Sequence, residues 1–90
     1  MFKNLEYLVE KIRERKKSPT IDSYTSKLLN DKNLCIAKVK EEIKELIEAV
    51  EANTNKMHET ADVLYHLLVY LEANNVKIED VMIELKKRQK

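Results

Sequence analysis

The chain contains no glycine and only one proline among its 90 residues, whereas average usage would place about six glycines in a chain of this length. Glycine-rich phosphate loops and dinucleotide-binding turns need residues without a Cβ where the backbone approaches phosphate, so both are excluded. Tight hairpins and β-bulges also favour glycine. The sequence therefore predicts a mostly helical chain in which asparagine supplies the left-handed turn positions.

Composition limits the class of protein further. One small domain of this length, spanning 1–90, has a core that is marginal for a lone monomer, so we expect a homodimer or a higher homo-oligomer. The 17 basic and 16 acidic residues nearly cancel, which argues against nucleic acid as a partner. A lone cysteine, Cys35, excludes a disulfide framework, and no segment reads as a signal peptide or a membrane span. We expect a cytoplasmic protein without a membrane partner.

The hydrophobic pattern predicts five helices. The first ends at Ser18-Pro19 and closes in a basic run, 13–17, that we expect to be solvated. The others are predicted near 23–30, 34–52, 56–73 and from Ile78 onward. Three residues, 53–55, join the third helix to the fourth, a connection short enough to make an antiparallel pair. The predicted fold class is all-α: a small helical bundle with a central antiparallel helix pair, completed by dimerisation.

Apolar stripes at helical spacing predict the buried faces of the third and fourth helices. On the third helix the stripe consists of Ile36, Val39, Ile43, Leu46, Ile47 and Val50. On the fourth helix it consists of Met57, Ala61, Leu64, Tyr65, Leu68 and Leu71. Because further apolar residues surround the second stripe, we expect the fourth helix to be buried on nearly all sides.

Acidic residues interrupt these two helices at regular spacing. Glu42 and Glu45 are neighbours on one flank of the third helix, and Glu59, Asp62 and His66 lie along one line of the fourth. A carboxylate in an apolar setting is costly unless a cation or a donor meets it. Four carboxylates that converge from two helices favour a hard-oxygen site for Mg²⁺, with Mn²⁺ possible.

Two alternatives stay open at this point. Lys38, Lys44 or Lys56 could neutralise the acids as structural ion pairs, as on an ordinary solvated helix face. His66 could bind the metal or act as a base, but a histidine one turn from a carboxylate is more often a hydrogen-bonded residue behind the metal ligands or in the core, which is the interpretation we favour.

The acids also carry a resemblance to a known family. Glu41-Glu42 with Glu45, followed after thirteen intervening residues by Glu59 with Asp62, gives E-E-x-x-E and E-x-x-D. This pattern is similar to the signature of the all-α nucleoside triphosphate pyrophosphohydrolases, the MazG-like superfamily. The surrounding blocks, 23–29 (SYTSKLL) and 61–69 (ADVLYHLLV), resemble the phosphoribosyl-ATP pyrophosphohydrolases of histidine biosynthesis, and the likeness covers nearly the whole chain.

The resemblance implies an activity and a set of site residues. Water would cleave the α–β phosphoanhydride of phosphoribosyl-ATP, releasing phosphoribosyl-AMP and pyrophosphate, with Mg²⁺ or Mn²⁺ held by Glu42, Glu45, Glu59 and Asp62. Catalysis is implied for Glu41, Glu42 and Glu45, with Glu41 as a further ligand or an orienter of the attacking water. Substrate contacts are implied for Ser23, Tyr24, Thr25, Lys27 and Lys38, and family members pair their subunits.

The chain departs from the family pattern where glycine is usual. Lys40 stands before the paired glutamates, and the segment 19–22 lacks glycine as well. Two other functions are therefore weighed against the first. One is a MazG-like housecleaning enzyme that hydrolyses free or damaged nucleoside triphosphates. The other is a non-catalytic helical oligomerisation module whose acids only pair with lysines.

Overall fold

The computed structural model describes residues 1–89; Lys90, the last residue of the predicted domain, lies outside the described residues. The chain forms five helices, and no strand occurs in residues 1–89. They are α1 (Lys3–Lys17), α2 (Tyr24–Leu29), α3 (Lys32–Ala52), α4 (Lys56–Ala73) and α5 (Ile78–Arg88). The predicted all-α class and the number and order of the helices are confirmed. No helix in this range has the combined length and apolar character that a membrane crossing requires.

Local chemistry explains where the helices begin. Ser23 caps α2, since its Oγ accepts a hydrogen bond of 3.1 Å from the Ser26 amide. Asp31 caps α3 in the same way, accepting 3.1 Å from the Leu34 amide. Such caps satisfy amides that have no partner inside the helix. The last helical residue of α1 is followed by Ser18-Pro19, as the proline predicts.

Asparagine takes the backbone positions that glycine would otherwise fill. Asn53, Asn55 and Asn75 have positive φ angles of 56°, 46° and 59°. Two of them lie in the short connection between α3 and α4, and the third follows α4. Asparagine tolerates this left-handed region better than most residues with a side chain. The prediction drawn from the missing glycines is confirmed.

The hydrophobic core lies where α4 meets α1, α2 and α3. Val9 and Ile12 of α1 pack there with Leu28 of α2 and with Leu68 and Val69 of α4, and Cys35 completes the cluster from α3. Helices α3 and α4 share the most extensive contact of any pair. Ile78 at the start of α5 packs against this core and is partly buried. The arrangement places one side of α3 directly against α4.

The predicted buried faces of α3 and α4 are partly wrong. Most of the predicted stripe residues on α3, and the first three on α4, are exposed: Ile36, Ile43, Ile47, Val50, Met57, Ala61 and Leu64. The buried face of α3 is instead formed by Cys35, Glu42 and Ala49. Apolar periodicity identifies a face that avoids water, but it does not say whether the same chain or another molecule covers that face.

Candidate active site

Acidic side chains from α3 and α4 meet where the two helices pack. Glu42, Glu45 and Glu59 each offer a carboxylate oxygen, and these oxygens lie within 4.8 Å of one another. Glu59 also belongs to a second group with Asp62 and His58, again with ligand atoms within 4.8 Å. The four predicted ligands, here called the carboxylate cluster, thus form two groups that share Glu59.

The carboxylate cluster has one deeply buried member, its other members are half-buried, and it is incompletely paired. Glu42 is only 6% exposed. In residues 1–89, Glu42 Oε2 and Glu59 Oε2 are buried and have no hydrogen-bond partner. Burial, with the nearby Glu45 carboxylate, raises the pKa of Glu42, and burial with Glu45 and Asp62 raises the pKa of Glu59. Oxygen donors that lack a partner fit a hard divalent cation.

Only one of the three candidate lysines reaches these acids. Lys38 Nζ donates to Glu41 Oε2 at 3.0 Å and lies 3.7 Å from Glu42 Oε1. The hydrogen bond to Glu41 raises the pKa of Lys38. Lys44 and Lys56 contact residues outside the carboxylate cluster. The structural ion-pair alternative therefore accounts for Glu41 and for one oxygen of Glu42, and within residues 1–89 it leaves the remaining acids without a lysine.

Both ring nitrogens of buried His66 contact protein atoms. Nδ1 lies 2.7 Å from the Asp62 carbonyl oxygen, and Nε2 lies 3.0 Å from the Tyr24 hydroxyl. A carbonyl can only accept, so Nδ1 carries the proton, and in the neutral ring Nε2 accepts from Tyr24. His66 thus ties α2 to α4 at the turn that carries Asp62.

The first turn of α2 lies beside the carboxylate cluster. Tyr24 stacks on Tyr65, with ring centroids 6.2 Å apart and planes inclined by 20°, and the Thr25 hydroxyl bonds the Tyr65 hydroxyl. Burial raises the pKa of Tyr24, and the positive charge of nearby Lys38 partly offsets this rise. A helix of six residues is not stable alone, so these contacts to α4 fix where α2 presents its side chains.

The other residues implied by the resemblance have simpler surroundings. Ser23 is occupied in part by capping α2, and Lys27 is exposed on that helix. Lys40, which replaces the usual family glycine, is exposed on α3. Tyr24 and Lys27 of α2 are thus exposed, and so is Lys40.

Sequence reasoning missed His58 as a member of the group that contains Glu59 and Asp62. Its Nε2 lies 3.4 Å from Asp62 Oδ2, one helical turn further along α4. The signal was present in the sequence, since residues four apart share a helix face. His58 adds a nitrogen donor beside Glu59 and Asp62.

The expectation of a solvated basic run at 13–17 is wrong for Arg13. Its Nε donates to Glu72 Oε2 at 2.9 Å, and its terminal nitrogens donate to the two Glu79 oxygens at 2.8 and 2.6 Å. Lys16 donates to the Glu72 carbonyl and to Asn75 Oδ1. These partners are more than fifty residues away in sequence, so helical spacing cannot predict them.

A separate cavity of about 670 Å³ lies between α1 and α5. Its lining includes Phe2, Leu5, Val9, Ile78 and Met82, and none of the predicted site residues. Arg13 also lines the cavity, but its guanidinium is already bonded to Glu72 and Glu79, and the other charged residues of the lining are acidic, so a triphosphate would find little free positive charge there. The carboxylate cluster therefore remains the candidate active site.

Comparison with known proteins identifies the family of the chain. The phosphoribosyl-ATP pyrophosphohydrolase family matches residues 5–89. A phosphoribosyl-ATP pyrophosphatase of Bacillus mycoides is 40% identical over 87 residues, which cover 93% of this chain and 81% of the relative. One from Methanococcoides burtonii is 38% identical over 90 residues, covering 94% of this chain and 91% of the relative.

A longer relative shows the same similarity over part of its length. The histidine biosynthesis bifunctional protein HisIE of Pyrococcus furiosus is 41% identical over 87 residues, which cover 96% of this chain and 41% of that protein. The match of the family over nearly all of the described residues, together with relatives of this similarity and coverage, leads to one conclusion: the chain belongs to the phosphoribosyl-ATP pyrophosphohydrolase family.

Proposed function

We propose that the protein hydrolyses the α–β phosphoanhydride of phosphoribosyl-ATP to give phosphoribosyl-AMP and pyrophosphate, the second step of histidine biosynthesis. Family membership and the names of its relatives support this activity. The structural observation that carries it is Glu42, a deeply buried carboxylate with one unpartnered oxygen among other acids. The free Cys35 thiol supports a reducing, cytoplasmic setting.

Within this proposal the carboxylate cluster holds Mg²⁺, or Mn²⁺ in its place. Glu42 and Glu45 approach from α3, and Glu59 and Asp62 from α4, so packing of the two helices sets the spacing of the oxygens. A divalent cation at such a site neutralises triphosphate charge and lowers the pKa of bound water. The raised pKa values of Glu42 and Glu59 support the need for a cation there.

The remaining residues would bind the substrate and orient water. Lys38 already balances Glu41 and Glu42 and lies beside Tyr24, so a phosphate oxygen at this edge would find a positive charge. The Glu41 carboxylate, which is exposed and held by Lys38, can accept a hydrogen bond from the attacking water. The first turn of α2, with Ser23 and Thr25, would contact the nucleotide, and Lys27 would add charge.

A comparison of substrates tests the proposed activity. Pyrophosphate release is measured with phosphoribosyl-ATP and, in parallel, with canonical and modified nucleoside triphosphates, each at limiting concentration with Mg²⁺. We expect the highest kcat/KM for phosphoribosyl-ATP. A higher value for a free nucleoside triphosphate contradicts the histidine-pathway assignment and supports the housecleaning alternative. No pyrophosphate from any of these compounds supports the non-catalytic module.

We also propose that α3 and α4 run antiparallel and pair with the same helices of a second copy. The three-residue connection between them supports the first part. The second is supported by the apolar side chains that the single chain leaves exposed on both helices, among them Ile43, Ile47, Val50 and Leu64. Exposed apolar surface of this kind is typical of an interface.

Sedimentation velocity tests the pairing of subunits. We expect the unmodified protein to sediment as a dimer or larger, and Ile47→Glu to shift it toward the monomer, because a charge would be buried in the apolar contact. Ile21→Glu is the matched control, since Ile21 is exposed outside the helices. If Ile47→Glu leaves the sedimentation coefficient unchanged, the interface lies elsewhere.

A further inference from the structure

His58 extends the carboxylate cluster on its solvent side. The residue is on α4, one turn before Asp62, and its side chain is 73% exposed. Its Nε2 lies 3.4 Å from Asp62 Oδ2, and His58, Glu59 and Asp62 bring their ligand atoms within 4.8 Å of one another. A cation at this edge would therefore meet one nitrogen donor and two carboxylates.

The two groups that share Glu59 differ in their donor chemistry. Glu42, Glu45 and Glu59 offer oxygen alone, which suits Mg²⁺. His58, Glu59 and Asp62 offer nitrogen as well, and imidazole favours later transition ions, whose affinity for mixed nitrogen and oxygen sites rises from Mn²⁺ to Co²⁺ and Ni²⁺. One end of the cluster thus prefers a harder cation than the other.

A purely structural role for His58 explains less of the geometry. An exposed ion pair between residues four apart on one helix adds little stability. It also leaves Glu59 Oε2, which is buried with no partner in residues 1–89, unexplained. Glu42, more than nine-tenths buried, has an unpartnered oxygen and belongs to the group that shares Glu59. Both oxygens belong to residues of the Glu42–Glu45–Glu59 group, which His58 adjoins through the shared Glu59.

We propose that His58 is a metal ligand that, with Glu59 and Asp62, makes this edge of the cluster selective for divalent transition ions over Mg²⁺. The inference rests on the proposed function, since it takes Glu59 as a ligand shared with the catalytic cation. It assigns the choice of metal to a single side chain that takes no part in the acidic signature of the superfamily.

Metal titration tests this assignment without any need for activity. Co²⁺ and Mg²⁺ are titrated separately into the unmodified protein, His58→Gln and His58→Asp by calorimetry at one neutral pH, with the visible absorption of Co²⁺ as a second readout. For His58→Gln we expect the Kd for Co²⁺ to rise by about tenfold or more, while the Kd for Mg²⁺ stays within about twofold. His58→Asp should bind Mg²⁺ at least as well as the unmodified protein and fail to restore Co²⁺ binding.

Matched controls separate this inference from the proposed function. Glu51→Gln removes an exposed charge near the end of α3 and should change neither Kd. Glu42→Gln should weaken Mg²⁺ binding. If Glu42→Gln weakens Mg²⁺ binding but His58→Gln binds Co²⁺ as the unmodified protein does, His58 is not a ligand and only this inference fails. If the unmodified protein binds neither ion, the metal centre of the proposed function fails as well.

Discussion

Two buried glutamates in this protein have opposite surroundings. Glu42 on α3 is 6% exposed and Glu72 on α4 is 9% exposed. Glu72 receives Arg13 at 2.9 Å, and the same guanidinium holds Glu79 at the start of α5. Glu42 has Lys38 at 3.7 Å from one oxygen and, among the described residues 1–89, no hydrogen-bond partner for the other.

The acid at the other end of the Arg13 contact, Glu79, also differs from the acids of the carboxylate cluster in the direction of its pKa shift. Hydrogen bonds from Arg13 lower the pKa of Glu79 to about 2. Burial raises the pKa of Glu42 and of Glu59. A buried carboxylate that meets a cationic side chain has its charge balanced within the chain, whereas one that is buried beside other acids needs a cation from outside. Burial alone therefore does not separate structural from functional acids; the partner does.

The largest effect that this contrast predicts is on catalysis. Glu42→Gln removes a charge and little volume, so we expect the helical fold to persist. We expect pyrophosphate release from phosphoribosyl-ATP to fall by at least about 100-fold, because loss of a residue that only supports a metal ligand already lowers activity by up to about 100-fold. Asp62→Asn should behave similarly. Glu48→Gln, an exposed position on the same helix, serves as the control and should keep full activity. Near-normal turnover by Glu42→Gln would falsify its assignment as a ligand.

The next effect is on stability. Glu72→Gln leaves the Arg13 guanidinium with a weaker partner, so we expect the free energy of unfolding in urea to drop by about 2 kcal/mol, as for other hydrogen bonds to charged groups. Glu42→Gln in metal-free buffer should not be destabilised, because it replaces a desolvated charge by a neutral amide. If the two substitutions destabilise equally, the contrast between the two regions is wrong.

The smallest effect concerns pH. Glu79 has a folded pKa of about 2 against an ordinary 4.5, so its contribution is present above 4.5 and is lost as the pH falls toward 2. We expect Glu79→Gln to flatten the loss of stability in this window, measured by urea unfolding at a series of pH values. The Glu79 side chain is 58% exposed, so salt should reduce the difference. An unchanged pH profile would show that the pair with Arg13 contributes nothing.

Sequence reasoning reached the helices because their signals are local. Apolar spacing and Pro19 after α1 each act within a few residues. The N-caps that the structure shows at Ser23 and Asp31 are local as well. It failed on which faces of α3 and α4 are covered, since Ile47 and Val50 are exposed in the single chain. Apolar periodicity indicates that a helix face is buried, but the sequence of one helix does not identify the molecule that buries it.

The candidate site divides in the same way. The spacing within each helix predicted that Glu42 lies beside Glu45 and Glu59 beside Asp62, and the short connection predicted that the two helices meet. The hydrogen bond between Tyr24 and His66 spans 42 positions of the sequence. The hydrogen bond between Arg13 and Glu72 spans 59 positions. Such contacts depend on how helices pack in three dimensions, which helical periodicity alone does not determine.

The stabilisation that Mg²⁺ gives to the folded protein tests the central claim most directly. At about a hundred times its Kd, a ligand that binds only the folded state stabilises by about 2.7 kcal/mol. We predict a rise of this size in the free energy of unfolding for the unmodified protein and for Glu48→Gln, and none for Glu42→Gln. Equal stabilisation of Glu42→Gln, or no stabilisation of the unmodified protein, would contradict the claim that the carboxylate cluster binds a divalent cation through Glu42.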